Sequence, residues 1–179
     1  MEFEERQHLN LWWLHILAGI EATIVVSIVL LDKGGMKMQE LKDIYFLPFI
    51  AALLPFIIIF LVQKSTLVLK INNQGINYRY KPFARKTTFI SWTQINKMYI
   101  RKYDALSEYG GWGKRYRLWF KFNDKAFVFN NESKGLQLEL SSDKKLLFST
   151  EKVDELALFL INLKTSNNIG AIETDVRER

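Results

Sequence analysis

From Ile44 to Val62 the chain runs nineteen residues without one charge, and strand-like alternation begins almost at once after it, at Thr66. A second apolar run, Leu11 to Leu31, precedes it, with only His15 and Glu21 as ionisable interruptions. At the α-helical rise of about 1.5 Å per residue, the two runs span about 28 Å and about 31 Å. A hydrocarbon core is about 30 Å thick, so each run is expected to form a transmembrane helix. Trp12, Trp13 and Tyr45 stand where each run opens, the place of interfacial aromatics.

Residues 1–10 form a short head. Glu2, Glu4 and Glu5 outweigh Arg6 there, so the basic region of a secretory signal is missing and the first span is expected to be retained. Gly34-Gly35 breaks the helix between the spans, which makes a helical hairpin over 11–62 the natural arrangement. Pro48 and Pro55 in the second span are read as shaping a kink. The connection 32–43 carries Lys33, Lys37 and Lys42, whereas Arg6, Lys64, Lys70, Arg79 and Lys81 flank the other side. Five against three places both termini and the following domain in the cytoplasm of an inner-membrane, multi-pass protein. Residues 63–179 hold 21 Lys and Arg against 12 Asp and Glu, a net of +9, against +6 for the whole chain. A basic surface beside an anionic leaflet is favoured by about 1 kcal/mol for each cation near the headgroups. No cysteine is present, which excludes disulfides and thiolate chemistry.

After Thr66 the period is two. Leu67, Leu69 and Ile71 alternate with Val68, Lys70 and Asn72, then Asn73-Gln74-Gly75 turns the chain into Ile76, Tyr78 and Tyr80. Further strands are expected over 87–92, 96–103, 116–122, 126–130, 135–140 and 146–149, with turns of Asn, Asp, Ser, Lys and Gly between them. Thr150 then caps a helix whose first turn is acidic at Glu151, Asp154 and Glu155. Its apolar face is Val153, Leu156, Ala157 and Leu160, and it ends near Leu163. Residues 165–179 are polar without periodicity and are expected to be disordered.

About seven antiparallel strands closed by one amphipathic helix resemble the bacterial membrane proteins that join a transmembrane hairpin to a pleckstrin-homology-like domain. The likeness rests on Gly75-Ile76, on Ile90-x-Trp92-x-x-Ile95, on Tyr109-Gly110-Gly111-Trp112-Gly113-Lys114-Arg115, and on Lys134-Gly135-Leu136-Gln137-Leu138 followed by Phe148-Ser149-Thr150. The resemblance implies an α+β membrane protein with an antiparallel β-barrel or sandwich over 65–164 capped by its C-terminal helix. It further implies an interaction module rather than a reaction.

Two segments carry the candidate partner surface. Lys81-Pro82-Phe83-Ala84-Arg85-Lys86 sets one aromatic among three cations, and Trp112 is followed by Lys114 and Arg115. The first suits diffuse attraction to anionic lipid headgroups as well as plain loop solvation. The second fails the phosphate-loop pattern, because no Gly-Lys-Ser/Thr opens a helix after it. Two readings of it stay open: Trp112 packed over the barrel mouth, or exposed to grip a partner. Glu21 is an isolated carboxylate within an apolar span, where a bond to Thr23, Ser27, the backbone or another subunit would satisfy it. Both histidines, His8 and His15, lie before or within the first span, and no metal-ligand spacing or nucleophile–base pair is visible. The expectation is a non-enzymatic module without cofactor or metal. It binds a protein partner or a second copy at the bilayer surface; the alternatives are anionic-lipid sensing and, behind it, a small membrane enzyme with an unrecognised site, and nucleic acid is not expected as a partner.

Overall fold

The computed structural model describes residues 2–9, 11–31, 46–82, 84–118, 121–167 and 169–174. They fall into two units, one of Met1–Leu9 with Lys64–Arg179 and one of Asn10–Gln63. The larger is built of β1 (Glu2–His8), β2 (Thr66–Asn72), β3 (Gly75–Lys81), β4 (Thr88–Ser91), β5 (Ile95–Lys102), β6 (Gly113–Arg117), β7 (Lys121–Val128), β8 (Lys134–Leu140) and β9 (Lys145–Ser149). The smaller holds α1 (Trp13–Leu31) and α2 (Phe46–Gln63), while α3 (Ala105–Tyr109) and α4 (Val153–Asn167) belong with the strands.

The expected barrel is not there. The strands make a four-stranded sheet in the order β1-β2-β3-β4 and a five-stranded sheet in the order β5-β8-β9-β7-β6, neither of them closed on itself among the described residues. The pairing of β7 with β9 is parallel, which a seven-strand antiparallel meander does not contain. The chain steps from one sheet to the other through a 3-10 turn at Trp92–Gln94, where Ser91 and Gln94 form a capping box. Aromatic rings lock the sheets face to face: Tyr78 on β3 lies 5.3 Å from Phe127 and 5.0 Å from Phe148, and Tyr80 lies 5.5 Å from Phe129. On the same face of the sheet, Phe3 of β1 meets Phe159 of α4, whose buried residues are Leu156, Leu160 and Leu163.

The head is a strand. Its charges hide a period of two: Glu2, Glu4 and Arg6 point out while Phe3, Glu5 and Gln7 are buried. It pairs antiparallel with β2 in the register Glu4↔Lys70, and the Glu4 carboxylate meets the Lys70 ammonium at 2.6 Å. At the opposite end of the chain, Ile172 is buried and bridges Met98 in parallel, with Met98 N–H donating to Ala171 O at 2.8 Å.

The expected turn at 123–125 is also relocated. β7 runs straight through it, and the reversal falls between Arg117 and Lys121. Asn123-Asp124 reads as turn chemistry, but Asp124 is buried against Arg117 at 3.2 Å, and the ion pair holds the segment extended. At Gly75 the backbone has φ +153°, and a Cβ would fall 2.2 Å from Ile90 O of β4, so the turn after β2 requires glycine.

The helical unit corrects the reading of two membrane spans. Leu11 and Trp12 precede α1, which has 19 residues, and α2 starts at Phe46 and has 18. Among the described residues no helix is long and apolar enough to cross a membrane. The transmembrane hairpin and the multi-pass inner-membrane placement drawn from it are therefore not supported. The expected connection 32–43 with its Gly34-Gly35 break, together with Tyr45 and Ile44, lies outside the described residues.

Candidate functional site

Strand alternation gives the five-stranded sheet two chemically distinct faces. Met98, Ile100, Leu136, Leu138, Phe127 and Phe148 form the apolar face that includes the ring contacts with β3. The other parity carries Tyr99, Arg101, Gln137, Glu139, Lys145 and Asp124. That face is roofed by α3. Asp104 starts the roof by accepting from Ser107 N at 2.7 Å, and Glu108 reaches back to accept from Asp104 N at 3.1 Å. Gly110, with φ +69°, ends it in the left-handed conformation.

At the centre lies the buried guanidinium of Arg101. Its Nε donates to Gln137 Oε1 at 2.9 Å, its Nη2 to the Tyr109 hydroxyl at 2.9 Å, and its Nη1 to Glu108 Oε1 at 3.2 Å. The Tyr109 hydroxyl passes its own hydrogen to Asp124 Oδ1 at 3.2 Å, and Arg117 bridges Asp124 and Glu108 at 3.2 and 3.4 Å. Two cations and two carboxylates thus close a neutral network across β5, α3, β6, β7 and β8. Burial alone would raise the Glu108 carboxyl, but the hydrogen bond and charge of Arg101 outweigh it and hold the group below its usual range. Burial pushes the Tyr109 phenol far above its ordinary value, so it stays a neutral donor. Beside the network, Glu139 takes hydrogen bonds from Lys145 at 2.9 Å and Tyr99 at 3.0 Å, and the Lys145 contact lowers its carboxyl.

Two open clefts overlie this face, of about 420 Å³ and about 390 Å³, and Arg117 and Lys145 line both. The first adds Tyr99, Arg101, Ser107, Glu108 and Gln137. The second adds Lys121, Phe122, Asn123, Asp124 and Asp143. Their lining mixes cations with carboxylates, and Arg101, Arg117 and Lys145 are each paired with an acid of the same face. Among the described residues no set of three His, Asp or Glu side chains is placed to hold a metal ion.

A second buried polar cluster ties β1 to the start of α4. The Glu5 carboxylate accepts from Thr150 Oγ1 at 2.7 Å and Glu151 N at 2.8 Å, and burial raises its pKa despite both bonds. Gln7 accepts from Ser149 Oγ at 2.6 Å, and that hydroxyl in turn accepts from Phe129 N at 2.9 Å.

The structure scatters the residues that the sequence singled out. Lys81 ends β3, Arg85 and Lys86 lie exposed in the β3–β4 connection of the four-stranded sheet, and Phe83 lies outside the described residues. Lys114 and Arg115 sit on β6, at the edge of the five-stranded sheet. Trp112 packs half-buried on Tyr103, Tyr109, Ala126, Val128 and Leu147, and Arg115 Nε donates to its carbonyl at 2.8 Å. Glu21 is exposed on α1, and the Thr23 hydroxyl is turned to Gly19 O instead, at 2.8 Å. Arg101, Glu108 and Asp124 were missed, because a buried ion network has no periodic signature; the acidic cap Asp104-x-x-x-Glu108 was the available clue.

No protein-family model matches this sequence, and the comparison with curated proteins finds no match either. The resemblance to pleckstrin-homology-like membrane proteins, and the lipid-binding role attached to it, is thereby corrected: neither the sheet topology nor any family match supports it.

Proposed function

We propose that this chain is a non-enzymatic interaction protein that self-assembles through its two-helix unit. The observation that carries the reading is the surface of that unit. Ile16, Leu17, Ile20, Ile24, Val26 and Ile28 of α1, and Leu53, Leu54, Ile57, Ile58, Phe60 and Leu61 of α2, are all exposed. Within the pair, Ala18 and Ile59 are buried, and the Gln63 amide reaches the His15 ring at 3.4 Å near one end. Monomers in water rarely leave contiguous apolar patches of more than a few hundred Å² uncovered. Apart from Glu21 the described helical residues carry no acid or Lys/Arg, so nothing selects a charged partner. A second copy brings the same surface, and a two-fold pairing of the hairpins closes it as a four-helix bundle.

The paired-off chemistry of the β unit supports the non-enzymatic side of the reading: Arg101, Glu108, Tyr109 and Asp124 are engaged with one another rather than poised toward a reacting group. Sedimentation equilibrium of the full chain tests the assembly. A dimer or higher oligomer that Ile57→Glu with Leu54→Glu converts to monomer is expected. A monomer under all conditions, its helices covered only by detergent or lipid, or an oligomer indifferent to the double variant, would overturn the reading.

A further inference from the structure

One patch of the β unit carries charge that its own carboxylates leave unpaired. On β6, Lys114 and Tyr116 share a face; on β7, Lys125 stands opposite Tyr116, and Lys144, just before β9, has the same parity as Leu146, the partner of Lys125. Lys114 and Lys125 therefore project from one face of β6 and β7, and the charge of Lys144, just before β9, acts on Lys125 beside them. Among the described residues none of the three forms an ion pair with a carboxylate. Lys125 is half-buried, with its ammonium 5.9 Å from the Tyr116 ring centre and 5.4 Å from that of Phe127. Partial burial lowers its pKa, and the positive charges of Lys114 and Lys144 lower it further, so the three repel one another. Beside them Tyr116 of β6 and Phe122 of β7 meet edge to face at 6.1 Å and stay 44% and 67% exposed.

We infer that this face is a docking site for an extended, acidic segment of a partner protein. Carboxylates of the segment settle against Lys114, Lys125 and Lys144, and an apolar side chain covers Tyr116 and Phe122. The spacing favours a polypeptide over a point anion. From β6 across β7 to β9 is about 10 Å at about 4.8 Å per strand. Two carboxylates three residues apart on a segment in the polyproline II conformation lie on one side of it, about 9 Å apart. A carboxylate between the amines relieves their repulsion, and partial burial keeps the attraction from being fully screened. The inference stands apart from self-assembly, since it uses only residues of the β unit.

Fluorescence anisotropy of the full chain with a short labelled peptide, bearing glutamates three apart and one leucine between them, tests it. Saturable binding that weakens steeply with salt is expected, and Lys114→Glu with Lys144→Glu reduces affinity at least about tenfold. Phe122→Ser reduces it about threefold or more, an effect that charge attraction alone does not give. Both lysines and Phe122 are exposed, and circular dichroism confirms that each variant is folded. No saturable binding, unchanged affinity in the lysine variant, or equally tight competition by heparin or single-stranded DNA would each overturn the inference. The last result would mark the patch as a general polyanion surface.

Discussion

The two units treat polarity in opposite ways. The β unit buries charge: Glu5, Arg101 and Asp124 are nearly inaccessible, and each is held by two or more partners. The helical unit exposes apolar surface, with Leu53 and Phe60 more than half open. Burying a polar group is tolerable only when hydrogen bonds replace its lost water, and leaving large apolar groups exposed is tolerable only when something covers them. The first condition is met within the chain. The second is not met among the described residues, so the helical unit reads as one half of an interface.

Substitutions sharpen that contrast, and the largest effect belongs to Arg101. Arg101→Met leaves Glu108, Tyr109 and Gln137 without their shared donor, and destabilisation of about 3–5 kcal/mol is expected, read as lost hydrogen-exchange protection in β5 and β8. A loss below about 1 kcal/mol would show the network to be ornamental to the fold. Next comes Gly75→Ala, whose Cβ meets Ile90 O and whose φ suits glycine alone. About 1–3 kcal/mol is expected in chemical denaturation, with the damage centred on β3–β4.

On the helical side, Glu21→Leu removes the lone carboxylate from the surface assigned to self-assembly. Association is expected to tighten about tenfold, or about 1.4 kcal/mol, in sedimentation. Weakening instead would make Glu21 a bonded part of the interface. The smallest effect concerns Glu5. Its folded-state pKa is raised, so its contribution to stability is complete below the unfolded value near 4.5 and is lost as pH rises through the folded value. Glu5→Gln keeps an acceptor for Glu151 N and supplies a donor for Thr150. The variant is expected to lose this acid-side gain and to match or exceed the parent by about 1 kcal/mol at pH 7, measured by urea unfolding across pH.

Where apolar residues set the pattern, the sequence was easy to read. Leu67, Leu69 and Ile71 place β2, Leu136 and Leu138 place β8, and Leu156 and Leu160 place the buried side of α4. Reading failed where buried positions are polar. Glu5 and Gln7 made a strand look like an acidic head, and Asp124 made the middle of β7 look like a turn. Period-two reasoning assumes that polar means outward, and ion pairs formed only in three dimensions defeat it. The same blindness hid the candidate site, whose members come from β5, α3, β6, β7 and β8. Run length misled differently: two long apolar stretches read as membrane spans, yet among the described residues no helix is long and apolar enough to cross a membrane. The resemblance inferred a barrel from strand number, but strand order and the parallel β7–β9 pairing decide closure.

The central claim is that the exposed apolar faces of α1 and α2 meet those of a second copy. The chain has no cysteine, so single cysteines introduced in turn along Leu53 to Leu61 and Ile16 to Ile28 are each the only thiol. Oxidation of the purified full chain then reports which positions approach their counterparts. The account predicts disulfide-linked dimers at helically spaced positions, three to four residues apart, and none at Lys70 or Lys86 of the β unit. Absence of cross-links at every helical position, or uniform cross-linking without helical spacing, would contradict it.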